Sequence, residues 1–434
     1  MRIVHIVPGT GGTFYCGNCL RDGALVRALR RAGHDVVMAP LYLPLAGEFE
    51  VEPQGVAPLF FGAVSVYAQE RFPGLRPLPR LLRRLLDSSG VLKLAAARAG
   101  STRAAGLAEM TLSMLRGEEG NQAAELERLM AWLKQDGRPD IVHLSNALLL
   151  GLARRIRREL RTPVVCTLQD EDTWIDAMDA HSARRVWETM AERAVDVQAF
   201  VAVSRYASGR LGDRLGVPAA SRHIVHLGIE LEGYPSEPRA EGVRAIGYLS
   251  RMSESMGLGI LADAFLLLKQ EPELRNVTLR AMGGHTADDA VFLKRLRGRL
   301  TEAGVAADVE FLPGFDRVGR MEFLRSLSVL SVPAVHPESF GAFVLEALAA
   351  GVPVVEPDLG AFPEIVELTG GGTLYRPNNA AALSAALSAL LLDPARAQNL
   401  GRRGQTAVKE RFNIDRMAQR IIEVYSAVAG EPGR

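Results

Sequence analysis

The sequence predicts an α/β protein built from two doubly wound parallel-sheet domains, and three observations carry that expectation. Short β-rich runs alternate with helical periodicity through most of the chain. The strand candidates are continuous apolar runs, as expected of parallel strands covered on both faces. The alternation breaks at 233–243, where GYPSEPRAEGV carries prolines, glycines and charges without a period, and then resumes. With 434 residues, 48% apolar and 23% charged, the chain is long enough for two or three ordinary cores.

Taken in order, RIVHIVP is a strand that ends in GTGGT, and DGALVRALRRAGHDVVMAP then repeats apolar residues at helical spacing before returning to a strand. Gly11 and Gly12 follow that strand directly, a weak loop signal that still allows a tight turn and close ligand approach. Residues 63–135 interrupt the pattern with long helical stretches and no clear strand, and read as an insertion in a first domain of 1–232. Within it, Arg80, Arg83 and Arg84 beside Leu81, Leu82, Leu85 and Leu86 form a basic amphipathic helix near 76–86. A core-facing leucine stripe is the commoner reading of such a helix; peripheral contact with an anionic membrane is the second. The strand DIVHL, the helix around NALLLGLARRIRREL and the strands PVVCTLQ and AFVAVS complete the first domain. After the 233–243 linker, a second cycle over 244–410 runs from RAIGYLS to GVPVVEP and beyond, and 411–434 holds an amphipathic closing helix.

Composition excludes some functions. Lys plus Arg (51) balances Asp plus Glu (50), so the chain lacks the basic excess of a nucleic-acid binder. No apolar run reaches the ~18–20 residues that span a bilayer, the start has no signal-peptide pattern, and three cysteines fit a reducing compartment. A cytoplasmic protein without structural disulfides is expected.

The chemistry concentrates in HPESFGAFVLEALAAGVPVVEP, which sets Glu338 and Glu346 eight positions apart. On one helix they would stand roughly 12 Å apart along the axis, awkward for the paired carboxylates of a glycoside hydrolase, which need about 5–9.5 Å. With Glu338 in a loop and Glu346 inside the following helix, Ser339, Phe340, Gly341 and Ala342 line a helix N-terminus, where free N–H groups favour an anion. A diphosphate there, with a carboxylate on each side to accept hydroxyls, suits a nucleotide-sugar. Gly283 and Gly284 end the strand run VTLRAMGG and leave room for a nucleotide. His143, at a strand end bordering the ligand crevice, is a candidate catalytic group, although a packed core histidine is as common. Asp170 and Asp172 form a D-x-D, for which an acceptor-side or helix-capping role is favoured over metal. Cys16 and Cys19 lack the second pair that a zinc site needs.

The Glu-x7-Glu stretch, with a proline before it and EALAAGVPVV after it, resembles the family 4 glycosyltransferases of GT-B fold. GGTFYCGNCLRDGALVRALRRAGHDV, DIVHL, FVAVSRYASGRL, HLGIE, RAIGYLSRMSESMGLGILADAF, EFLPGF, GAFPEIV and GGTLYRP are similar to that family and fall in its order. The resemblance implies two Rossmann-like domains facing a cleft, the first taking the acceptor and the second the nucleoside-diphosphate-sugar, with the closing helix returning to the first domain. It implies that Glu338 meets the donor sugar, Glu346 the ribose and Arg251 the diphosphate, with Gly11, Gly12, Gln169 and Asp170 on the acceptor side and His143 at the family's histidine. It also implies retention of anomeric configuration, the departing diphosphate helping to take the acceptor proton, with no cofactor and no metal. The sequence departs from the family at Met256, where a lysine is usual, at Ser145 and Gln169, where histidines are common, and at Ala361 after Gly360, where a second glycine is usual. A non-catalytic nucleotide-sugar or glycan-binding protein and a same-fold sugar-nucleotide epimerase are the alternatives.

Overall fold

The computed structural model describes residues 1–9, 14–43, 56–61, 107–234, 244–312 and 314–430. Gly11, Gly12, the basic helix near 76–86 and residues 235–243 of the expected linker lie outside the described residues. Within the expected insertion, the described part from 107 onward is helical, with α2 (Ala108–Arg116) and α3 (Ala123–Trp132) following α1 (Gly17–Arg31).

The described residues of Met1–Gly11, Cys19–His226 and Asp415–Arg434 pack as one compact unit, and those of Gly12–Asn18 and Leu227–Ile414 as another. The first unit holds a six-stranded sheet of β1 (Arg2–Val7), β2 (Asp35–Pro40), β3 (Ile141–Leu144), β4 (Val164–Leu168), β5 (Ala199–Ala202) and β6 (Arg222–Ile224), in the order β2-β1-β3-β4-β5-β6. Every pairing is parallel. Strands β3, β4 and β5 are buried along their whole length, which is why they read as unbroken apolar runs. Helix α4 (Ala153–Leu160) joins β3 to β4; α5 (Glu171–Ile175) and α6 (Ala180–Ala194) join β4 to β5; and α7 (Arg205–Arg214) leads to β6. The Asp179 side chain accepts from Ser182 N at the start of α6, and Ser204 from Ala207 N at the start of α7, the side-chain caps that begin such helices.

The second unit repeats the architecture. Its sheet comprises β7 (Ala245–Leu249), β8 (Thr278–Met282), β9 (Val309–Leu312), β10 (Val329–Leu330), β11 (Val354–Pro357) and β12 (Gly372–Tyr375), in the order β12-β11-β10-β7-β8-β9 and parallel throughout. Helices α8 (Leu258–Leu268), α9 (Ala290–Glu302), α10 (Arg317–Arg325), α11 (Ala342–Ala349), α12 (Phe362–Thr369), α13 (Ala380–Leu391) and α14 (Pro394–Arg411) alternate with the strands or follow them. The last helix, α15 (Ile414–Ala429), belongs from Asp415 onward to the first unit.

Each sheet reverses its strand order once, between β1 and β3 in the first unit and between β7 and β10 in the second. In open α/β sheets, ligands bind outside the carboxyl ends of the strands at such a reversal. The topology therefore directs attention to Ser145 and its surroundings in one unit and to residues 250–257 and 331–346 in the other. Among the described residues, no single helix is long and apolar enough to cross a membrane, and no group of three His, Cys, Asp or Glu side chains is placed to hold a metal ion.

Candidate functional site

In the second unit, the chain leaves β10 through a loop and enters α11 at Gly341, whose φ of 85° is left-handed. A Cβ there would meet the Phe362 ring at 2.9 Å, so glycine answers both the dihedral and the packing. No side chain caps the start of α11; Val344 N donates to the Gly341 carbonyl at 3.0 Å, and the helix N-terminus as a whole favours an anion. Glu338 lies half-buried in the preceding loop, and its carbonyl accepts from Ala361 N at 2.9 Å. A Cβ on Gly360 would come within 2.5 Å of that carbonyl oxygen, so one glycine of the family's pair is kept for contact between the two loops. The second position, Ala361, is fully buried and tolerates its methyl. Ser339 and Phe340 are buried, and the Phe340 ring packs 6.2 Å from that of Phe412, so Phe340 offers the site its backbone while its ring serves the core.

Glu346 stands on α11 as expected, but it is paired. Its Oε2 lies 3.1 Å from Arg320 Nε, both side chains are buried, and Arg320 Nη1 also donates to the Phe315 carbonyl at 2.6 Å. The Tyr15 ring lies 5.7 Å from the same guanidinium, and its buried hydroxyl has no hydrogen-bond partner. Burial, with Glu346 beside it, pushes the Tyr15 phenol well above its ordinary range.

Arg251, after β7, is held as a fork by Asp289: Nε to Oδ2 at 2.8 Å and Nη2 to Oδ1 at 3.0 Å, with a further bond from Nη2 to Thr286 Oγ1 at 2.8 Å. Burial acts to raise the Asp289 carboxyl, but the Arg251 and Thr286 hydrogen bonds outweigh it and hold the carboxyl below its usual range. The Phe14 ring lies 5.5 Å from the Arg251 guanidinium. Phe14 bridges to Gly284, and Tyr15 N donates to the Gly283 carbonyl at 2.7 Å. Gly283 and Gly284, where room for a nucleotide was anticipated, support the Phe14–Tyr15 segment through their backbone. Met256 is half-buried, its N–H donating to Ser253 Oγ at 3.3 Å, just before Gly257 begins α8.

In the first unit, His143 is fully buried. Its Nδ1 is 2.6 Å from the Tyr425 hydroxyl and its Nε2 is 2.8 Å from Thr167 Oγ1, and its ring meets that of His5 edge-on at 4.8 Å. Burial first, then His5 and Arg21, depress its pKa well below the ordinary value. A ring sealed from solvent with both nitrogens engaged is packed in the core of the first unit, at the strand end from which a catalytic group was expected.

Gln169 is buried, with its side-chain amide donating to the Ser145 carbonyl and its backbone N–H to Glu171 Oε2 at 2.8 Å. Ala147 N donates to Glu171 Oε1 at 2.7 Å, tying the ends of β3 and β4 together through one carboxyl, which burial raises to about 7. Asp170 precedes α5 at its N-cap without a side-chain capping bond, and Asp172 pairs with Arg210 at 3.0 Å. Gln169 and Asp170 thus border the β3–β4 carboxyl end.

Asp289, Arg320, Glu171, Tyr15 and Arg21 were not singled out from the sequence. Only Asp289 had a local signal, the Thr286-x-x-Asp289 spacing of a capping box, which the structure completes. Arg320 and Glu346 are brought together by the fold alone.

Known proteins resemble the chain in sequence and in fold. Residues 234–407 match the family described as glycosyl transferases group 1, and 111–232 match glycosyltransferase family 4. A phosphatidyl-myo-inositol mannosyltransferase of Mycobacterium leprae is 28% identical over 315 residues, covering 70% of this chain and 77% of its own. A D-inositol 3-phosphate glycosyltransferase of Streptomyces bingchenggensis is 29% identical over 215 residues, 47% of each chain. Among solved structures, sucrose-phosphate synthase from Thermosynechococcus elongatus shares the fold with a TM-score of 0.72 at 19% identity, covering 98% of both chains. Anabaena HepE in complex with UDP and glucose has a TM-score of 0.67 at 18% identity, covering 98% of this chain and 100% of its own. The chain belongs to the family 4 glycosyltransferases and is a hexosyltransferase of GT-B fold.

Proposed function

We propose that the enzyme moves a sugar from a nucleoside-diphosphate-sugar, bound by the second unit, to an acceptor bound by the first, with retention of anomeric configuration. The observation that carries this reading is the uncapped start of α11 at Gly341, with Glu338 before it and Glu346 inside it. The helix N-terminus receives the diphosphate, Glu338 the sugar hydroxyls and Glu346 the ribose, and Arg251, oriented by Asp289, supports the diphosphate. The solved relative carrying UDP and glucose supports this assignment of the donor class. The departing diphosphate takes the acceptor proton, so no protein nucleophile is required. We also propose that turnover needs no divalent metal and takes place in a reducing, cytoplasmic compartment, in keeping with a chain of only three cysteines.

The test is a thermal-shift screen against UDP-, GDP- and ADP-sugars, with nucleoside diphosphate release as the readout of turnover, repeated in EDTA. One donor that stabilises the protein and releases its nucleotide is expected, with rates unaffected by EDTA and an axial-to-axial or equatorial-to-equatorial product by NMR. Stabilisation with no release toward any acceptor would favour the non-catalytic binding protein. Glu346→Ala is expected to weaken donor binding by about 1–3 kcal/mol, as for a lost partner of buried hydroxyls; unchanged calorimetric affinity would sink the ribose assignment.

A further inference from the structure

The reversal point of the first sheet, between β1 and β3, carries uncommitted polar groups that the reading above does not use. Arg21 lies in the second turn of α1 and Ser145 directly follows β3; they are 4% and 1% exposed. Asp22 holds the Arg21 guanidinium from one side, its Oδ1 taking Nε at 3.1 Å and Nη2 at 2.6 Å. Nη2 also reaches the Ser145 carbonyl at 3.4 Å, which places the guanidinium beside that residue. Arg21 Nη1 and Ser145 Oγ are both buried and have no hydrogen-bond partner. Two such groups side by side are costly to leave unsatisfied, and they sit where open α/β sheets bind ligands.

The neighbouring oxygen acceptors are already in use, whereas His5 Nδ1 is a third buried atom here without a hydrogen-bond partner. The Ser145 carbonyl takes the Gln169 amide as well as Arg21, Asp22 takes Arg21 and His5, and Glu171 takes the N–H groups of Ala147 and Gln169. What remains uncommitted is the pair of N–H bonds on Arg21 Nη1, the Ser145 hydroxyl, which can turn to donate, and His5 Nδ1. An anionic group is the complement of the free guanidinium edge, and the Ser145 hydroxyl can turn to donate to it. Because Asp22 binds the other edge of the guanidinium, it fixes the plane from which Nη1 projects.

We propose that Arg21 Nη1 and Ser145 Oγ form an oxyanion subsite of the first unit, which takes a phosphate or carboxylate group borne by the acceptor. The subsite's use in acceptor binding rests on the transferase reading; its anion chemistry does not. Ser145, which departs from the family's usual histidine, then acts as a specificity-determining residue.

The test uses the full chain with its second unit saturated by UDP, so that phosphate cannot report on a diphosphate site there. Inorganic phosphate, acetate and, as the neutral control, glucose are titrated by calorimetry into the wild type, Arg21→Lys and Ser145→Ala. Lysine keeps a cation for Asp22 but loses the second edge of the fork, and Ser145→Ala removes one donor without disturbing the ion pair. At least one anion is expected to bind the wild type, with affinity about tenfold lower in Arg21→Lys and severalfold lower in Ser145→Ala. The tighter of phosphate and acetate identifies the group, and glucose should not bind. Absence of anion binding in the wild type, or equal binding in wild type and both variants, overturns the subsite and leaves only buried donors that hold water. UDP affinity is measured on the same samples. A wild type that binds an anion through Arg21 but takes no nucleotide would remove the transferase reading and leave the subsite standing.

Discussion

Replacing Glu346 with alanine should destabilise the second unit before any question of substrate arises. Glu346 and Arg320 form a buried ion pair with Oε2 3.1 Å from Nε, and their side chains are 8% and 4% exposed. Removing one partner of such a pair leaves an uncompensated buried charge, at a cost of about 3–5 kcal/mol. Here Arg320 keeps its Nη1 bond to the Phe315 carbonyl at 2.6 Å and the Tyr15 ring nearby, so the lower end, about 3 kcal/mol, is expected. For a unit of this size that is a fall in Tm of roughly 6–12 °C, read by calorimetry and checked by urea unfolding. Arg320→Met should also destabilise when made alone. The double variant should recover much of the loss, because exchanging both charges for apolar volume is often near neutral. A Glu346→Ala protein within about 1 kcal/mol of wild type, or a double variant whose losses simply add, would refute the buried-pair account. The nucleotide-sugar titration of Glu346→Ala must accordingly be run below the variant's own transition.

Glu171 and His143 make opposite pH predictions. The Glu171 carboxyl is raised from 4.5 to about 7, so its stabilisation is fully present below 4.5 and is lost as pH rises toward 7; 2.5 units amount to on the order of 3 kcal/mol, seen as a wild-type slope that Glu171→Gln flattens. His143 is depressed below 6.5, so its stabilisation is present above 6.5 and is lost as pH falls; its ring should show no protonation by NMR between pH 6 and 8, and titration in that range would remove the sealed-core account. Met256→Lys restores the cation usual in the family beside Gly257 and should tighten UDP binding about tenfold at low salt, with the gain shrinking as salt rises. No change in UDP affinity would show that the diphosphate does not pass position 256.

The alternation of buried strands with helices was legible because parallel strands covered on both faces need unbroken apolar runs, as VVCTL of β4 and AFVA of β5 supply. The β10–α11 turn was legible because its parts lie within a dozen residues, with glycine forced at 341 by a left-handed dihedral. What the sequence hid is long-range. Arg320 within α10 and Asp289 before α9 look like ordinary helix charges until the fold brings them to Glu346 and Arg251. The surroundings of His143 were hidden because a strand end carries no statement of what covers it, and Tyr425 and Thr167 bond its ring from 282 and 24 residues away. The segment 12–18 was counted with the first domain on continuity alone, whereas its described part packs with the second unit through Gly283 and Gly284.

These pairings bear on how a diphosphate would be held in the proposed donor site. Arg251 is already bonded along one edge by Asp289, and Arg320 is already matched by Glu346, so neither brings a full uncompensated charge. At the position where a lysine is usual the chain carries Met256. The N-terminus of α11, which follows Gly341 and is uncapped by any side chain, is then a source of positive potential in the β7–β10 region. Oriented amides need no reorganisation as charge builds on a leaving diphosphate, whereas a mobile lysine must be ordered to act. Exchanging a mobile cation for fixed dipoles and a carboxylate-braced arginine keeps the site able to stabilise that charge, so Met256 is compatible with an active transferase and does not by itself mark the chain as a degenerate one.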